Sequence, residues 1–287
     1  MNILVKVINR LDPPVHPLEG ITLIGCVIYM IIKRIPDPIT GPKGVRMLLI
    51  FRGITGFFGL IGLYWSLQYL SVADTTVLTF LAPLATALAG WIFLKEGYSV
   101  KQGVAAVFSL LGVVLIARPP FLFESPAVIP VGHQVPEATP AERLIGVGAC
   151  MISVLGATGA YTTIRAIGKR AHPMHVMTFF SLWSTIMASV GMVVFKIPVV
   201  YPRSWMWSLL LILIGVFGFT AQTLLTMGLQ RETVSRGATG MYVQALFAVV
   251  LEGLFFGIIP SLLSVLGAAI IISSAIYVVL TKPKRST

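Results

Sequence analysis

The chain has 287 residues, of which 56% are hydrophobic and only 11% charged, and its mean hydropathy is +0.92. A soluble domain carries roughly 25% charged residues, so this sequence has too little polar surface for water, and lipid must be the solvent for most of it. The net charge of +11 does not point to nucleic acid, because the basic residues sit at the ends of apolar runs rather than along one face, as topology and contact with anionic lipid require.

Apolar runs, cut at charges and at Pro/Gly punctuation, predict helices over residues 18–32, 47–70, 73–94, 99–117, 144–164, 174–195, 205–229, 234–257 and 261–280. Most are close to the roughly 20 residues that a bilayer span needs. The opening MNILVKVINR lacks the pattern of a cleavable leader. Pro83 falls near the middle of the 73–94 run, where it either kinks the helix or frees a carbonyl to face a cavity. Cys26 and Cys150 lie inside apolar runs and read as small buried residues, with neither disulfide-framework nor metal-ligand spacing. Ala82, Thr86 and Gly90, and likewise Ala149, Ser153 and Ala157, recur at intervals that let helices approach closely. One long polar break, residues 121 to 144, is rich in Pro and Glu and divides the chain into halves.

The halves resemble each other. Shifting the first by 162 positions places Gly56-Phe57 on Gly218-Phe219, Leu67-Gln68 on Leu229-Gln230, Val72 on Val234, Leu84 on Leu246, Phe93 on Phe255 and Ser99 on Ser261. Near the start the shift is 159, and Lys6, Arg10, Pro14 and His16 meet Arg165, Lys169, Pro173 and His175. Residues 144 to 159 have no counterpart after Met1, so the first helix is expected to begin partway along. The predicted organisation is a first repeat over 1–120, a non-cytosolic linker over 121–143, a second repeat over 144–281 and a basic tail over 282–287.

Charge sets the expected orientation, because Lys and Arg accumulate on the cytosolic side of short loops. With Lys282, Lys284 and Arg285 inside, fourteen basic residues fall inside and six outside, leaving Arg52 in or near the membrane. The turn LSVADT (70–75) carries no positive charge, whereas its repeat partner RETVSR (231–236) carries two. The turn KEGYSVK (95–101) is charged and its partner GIIPSLL (257–263) is not. Equivalent segments thus face opposite sides, as five-span repeats demand. The expected fold is an all-α polytopic membrane bundle of two inverted five-helix repeats, a plan typical of secondary transporters.

Residues 52 to 118 carry a more specific pattern. Arg52-Gly53 opens it, Thr79, Leu81 and Pro83 form T-x-L-x-P, and Leu94-Lys95-Glu96 closes the span before a Gly-containing helix. In these features the chain resembles the EamA-type branch of the drug/metabolite transporter superfamily, and within it the solute carrier family 35 G-type proteins. The second repeat departs from the pattern at Ile258, which stands where the family often has an acid. The resemblance implies ten helices in two repeats and the movement of small organic solutes across a membrane, without implying which solute.

Polar side chains inside spans are candidate functional groups, because burying them in hydrocarbon is costly, and binding in such folds is expected near the midplane between the repeats. Arg52 is a candidate anion contact, or a side chain reaching back to the headgroups. Tyr64, Gln68, Tyr161, Gln222, Tyr242 and Gln244 supply neutral hydrogen-bonding groups for a solute, or ties between helices. Tyr64-Trp65, near a span end, also suits an interfacial anchor. Glu252, the one acid well inside an apolar run, is a coupling candidate, since burial raises a carboxyl pKa. No HExxH, P-loop or GxSxG occurs, and His16, His133, His172 and His175 lie in or beside loops. No enzyme activity, metal or cofactor is therefore expected. The expected function is secondary transport of small organic solutes by alternating access. The alternative is a non-transporting membrane protein with a regulatory or scaffolding role. The expected partners are the solute and the lipid bilayer, not nucleic acid, with a homodimer as an open assembly. The expected location is an integral, multi-pass one with a cytosolic C-terminus, in the plasma membrane or an endomembrane.

Overall fold

The computed structural model describes residues 19–70, 72–97, 100–117, 140–194, 196, 205–233, 236–237, 240–247, 250 and 262–280. All regular structure among them is helical: α1 (Glu19–Ile32), α2 (Arg46–Tyr69), α3 (Val72–Thr79), α4 (Leu81–Leu94), α5 (Val100–Ala117), α6 (Pro140–Ile167), a 3-10 turn (Gly168–Arg170), α7 (Pro173–Val194), α8 (Trp205–Arg231) and α9 (Leu262–Leu280). These follow the apolar runs closely. Pro140 and Pro173 occupy the first positions of α6 and α7, where the missing N–H forfeits no helical bond. Lys95 ends α4 in the left-handed conformation at φ 52°, with its N–H returned to the Gly90 carbonyl.

The run 73–94 departs from its expected single helix. It breaks at Phe80, whose φ and ψ are −71° and −1°. Pro83 explains the position of the break. In a continuous helix it would leave the Thr79 carbonyl without its donor, whereas in the first turn of α4 the absent N–H is harmless. The Phe80 amide still closes α3 by donating to Thr76 O at 3.0 Å.

Among the described residues, four stretches are long and apolar enough to cross a membrane: Arg46–Tyr69, Asp74–Leu94 taken across its break, Ala141–Arg170 and Pro173–Val194. The surface is inverted relative to a water-soluble protein. Ile24, Phe93, Val193 and Trp205 are exposed while Arg52, His175 and Gln230 are buried, as expected where the surrounding medium is hydrocarbon.

Contacts group the chain into two compact units, one of residues 1–57 and 163–231, the other of 58–162 and 232–287. In the first, α1 packs along α7 through Cys26, Met30, Met174 and Met177. The α8 helix meets α7 and the 3-10 turn. There the Gln230 amide donates to Ala171 O at 3.2 Å and Arg165 donates to Gln230 O at 3.4 Å. His175, in the first turn of α7, lies with Nε2 3.0 Å from Pro36 O and fastens the α1–α2 connection.

In the second unit α5 and α9 form the most extensive helix pair. Val100–Phe108, the first half of α5, borders one groove with Ser273–Tyr277, late in α9. Farther along, Gly112, Leu115 and Ile116 lie against Gly267, early in α9. The two helices therefore run antiparallel. At their crossing a Cβ on Gly112 would stand 2.7 Å from Gly267 O, and one on Gly267 would stand 2.5 Å from Gly112 O. Only hydrogen fits at either position. The far half of α2 approaches α6 as closely. Ser153 Oγ donates to Gly59 O at 2.6 Å, and Ala149 is buried on the same stripe, so this interval of small residues is a packing seam.

Candidate functional site

Arg52 is the largest fully buried side chain of the first unit, at 2% exposure. It projects from the second turn of α2. The centre of its guanidinium lies 4.4 Å from the Phe180 ring centroid on α7, and Nη2 donates to Gln222 Oε1 on α8 at 3.4 Å. Three helices thus converge on one cation. A desolvated guanidinium over an aromatic face gains on the order of 2 kcal/mol from the ring quadrupole, which holds the planar group in one orientation. Glycine clears the space: a Cβ on Gly56 would press against the Arg52 guanidinium and stand 2.9 Å from Phe180 Cδ2, and one on Gly53 would stand 2.8 Å from Phe179 O. Buried Thr178, Ser181, Ser184 and Thr226 on α7 and α8 add hydroxyl groups to this unit's interior. The arrangement can present a fixed, bidentate donor to an anion with an amide beside it.

Of the other sequence candidates, Tyr242 belongs to the second unit and is fully buried. Its hydroxyl donates to Phe80 O at 3.0 Å, and its ring stacks on Phe80 at 5.5 Å and 22°. It clasps the Phe80 carbonyl at the α3–α4 break. Gln244 nearby is exposed, as is Gln68, while Tyr64 and Tyr161 are half-buried. Trp65 is 47% exposed. Glu252 lies outside the described residues.

Two buried titratable side chains, Asp74 and His175, were not among the sequence candidates. Asp74, in the first turn of α3, is 4% exposed; the spacing Ser71-x-x-Asp74 is a helix-start pattern that would have flagged it. His175, at the start of its expected helix, is buried by its bond to the α1–α2 connection. His172, in the turn before α7, accepts the Met174 amide at Nδ1 at 3.2 Å. Burial, and next the His175 imidazole, hold it below the ordinary histidine pKa of 6.5. Among the described residues no group of three or more His, Cys, Asp and Glu side chains is arranged to hold a metal.

Comparison with known proteins agrees with this architecture. A crystal structure with 16% sequence identity superposes with a TM-score of 0.72, covering 92% of this chain and 86% of the other, which establishes a shared fold. A probable transport protein of Saccharomyces cerevisiae is 38% identical over 283 residues, spanning 94% of this chain and 79% of its own. Human solute carrier family 35 member G1 is 32% identical, over 95% and 74% of the two chains. The pseudopaline exporter of Pseudomonas aeruginosa is 26% identical, over 98% and 92%. The EamA-like transporter family model matches residues 5–118 and again 144–280, and the chain belongs to that family.

Proposed function

We propose that the protein moves a small organic solute across a membrane by alternating access, and that Arg52 and Gln222 contact an anionic group of that solute. The observation that carries this reading is the guanidinium fixed over Phe180 and hydrogen-bonded to Gln222 inside the first unit. A charge at such depth is expensive unless it is used, and relatives named as an exporter and as a solute carrier match nearly the whole of this chain in sequence. Tyr64, Gln68, Tyr161 and Gln244 are further proposed contacts. Tyr242 can join them only when its bond to Phe80 opens. Glu252 remains the proposed proton-coupling carboxyl.

Two observations support the inverted-repeat plan, with repeats over 1–120 and 144–281 and the 121–143 linker between them. Val100–Ala117 and its counterpart 162 positions later, which is α9 almost entire, run antiparallel, as repeats of opposite topology require. Phe80 and Tyr242 are themselves 162 positions apart, and equivalent residues touch where a twofold axis passes. The excess of basic residues on one side of the short loops supports a cytosolic C-terminus.

Initial rates of uptake into proteoliposomes test the reading. A panel of labelled carboxylates, neutral amides and cations should show anions preferred, with the preference lost in Arg52→Gln. Equal uptake of all three classes by the unaltered protein would exclude an anion site at Arg52. For coupling, Glu252→Gln should abolish proton-driven accumulation while leaving exchange; unchanged accumulation would remove Glu252 from the mechanism.

A further inference from the structure

We propose that the groove between α5 and α9 binds a membrane phospholipid with a net negative headgroup. The groove measures about 470 Å³ and is lined mainly by apolar atoms. Its origin is geometric. The helices touch at Gly112 and Gly267 and diverge away from that crossing, as inclined helices must. Where they part, Ala105 and Ser274 form a buried floor too small to fill the gap. Val100, Val104 and Phe108, spaced by four, make one exposed wall, and Tyr277 stands on the other side. From Val100 to Phe108 the wall runs about 12 Å, close to the roughly 15 Å of one hydrocarbon leaflet. An acyl chain fits that length and that chemistry.

The mouth specifies the headgroup. Lys101, in the first turn of α5, lines the groove at the end where α9 finishes, and among the described residues no acidic side chain lines it. A lysine at a span end over an apolar slot is the pairing that recognises an anionic headgroup above its own acyl chain. A second copy is the poorer occupant. Packed groove to groove about an axis along the membrane normal, it would bring two Lys101 side chains to the same depth, where like charges repel.

Native mass spectrometry of the purified full chain tests this, after equilibration with phosphatidylglycerol and phosphatidylcholine of identical acyl chains. The unaltered protein should retain phosphatidylglycerol preferentially. Lys101→Gln should reduce that selectivity about fivefold, the effect of one lysine at an anionic surface, while Lys95→Gln, outside the groove, should leave it unchanged. Ser274→Phe, which fills the floor, should reduce retention of both lipids; Val104→Trp, on the open wall, does the same without burdening the helix contact. Selectivity unchanged in Lys101→Gln, or lipid retained in both filled variants, would overturn the proposal. So would filled variants that convert a dimer to a monomer with lipid retention intact, since the occupant would then be a second copy.

Discussion

The two units bury polarity in different ways. The first surrounds a cation: Arg52 over Phe180, with Gln222 in contact, and His175 and Gln230 tied to backbone carbonyls nearby in sequence to the same helices. The second closes on backbone. Its crossings are made by Gly112 against Gly267 and by Ser153 against Gly59, and its core aromatic pair, Phe80 and Tyr242, spends its one hydroxyl on a main-chain carbonyl. A helix seam sealed through carbonyls and small side chains is shaped for close packing. A site built from long side chains on three helices is shaped to present donors. The comparison therefore separates residues whose loss should alter function from residues whose loss should alter assembly.

Arg52→Ala gives the sharpest test on the functional side. Removing one member of a buried, hydrogen-bonded charge cluster costs about 2–5 kcal/mol in binding, so uptake of an anionic solute should fall at least about thirtyfold at subsaturating concentration. Arg52→Lys keeps the charge but loses the planar fork and should recover only part of the rate. Initial uptake rates at matched protein density decide this, and wild-type rates in Arg52→Ala would place the solute elsewhere.

A glycine pair extends the contrast. Gly112→Ala pushes a methyl into the Gly267 carbonyl, a backbone atom that cannot rotate away, and should destabilise the protein by roughly 1–3 kcal/mol. Gly56→Ala meets the end of a flexible side chain and a ring instead. It should cost less stability but displace the guanidinium and impair uptake. Thermal unfolding in detergent alongside uptake measures both; if the two variants lose stability and activity in the same proportion, the division between the units fails. A milder probe is Tyr242→Phe, which keeps the stack and deletes the hydroxyl. The loss should be about 1 kcal/mol, visible as a lower unfolding midpoint.

The smallest expected effect lies at His172. Its folded pKa is below the unfolded value of about 6.5, so between the two values the unfolded chain binds more protons. Stability should rise with pH up to about 6.5 and then level, the penalty being fully present at pH below the folded value. Unfolding midpoints between pH 5 and 7.5 should flatten in His172→Gln, and an identical slope in that variant would assign the dependence to another group.

Much of the architecture was legible because each helix needs a long apolar run, and such runs stand out between Lys33-Arg34, Lys95 and the 121–144 break. The offset of 162 is a pattern of the sequence. What it could not reveal is that equivalent residues touch, since a repeat fixes correspondence and not distance; the Phe80–Tyr242 stack needed coordinates. The break at Phe80 was hidden behind Pro83, because a proline disrupts the ladder on its N-terminal side and the chain relocates the interruption to spare a carbonyl. Arg52 was visible as a charge in an apolar run, but its partners Phe180 and Gln222 come from distant helices with no spacing signal. His175 was placed correctly at the start of its helix, but its burial was not legible, because it depends on Pro36 in the connection from α1.

The tightest crossing in the second unit has a consequence for biogenesis. Its two helices are separated in the chain by residues 118–261, so α5 enters the bilayer long before α9 is synthesised. Until then Gly112 and the groove wall beside it lack their partner helix. Closure of this crossing therefore waits until α9 has been made.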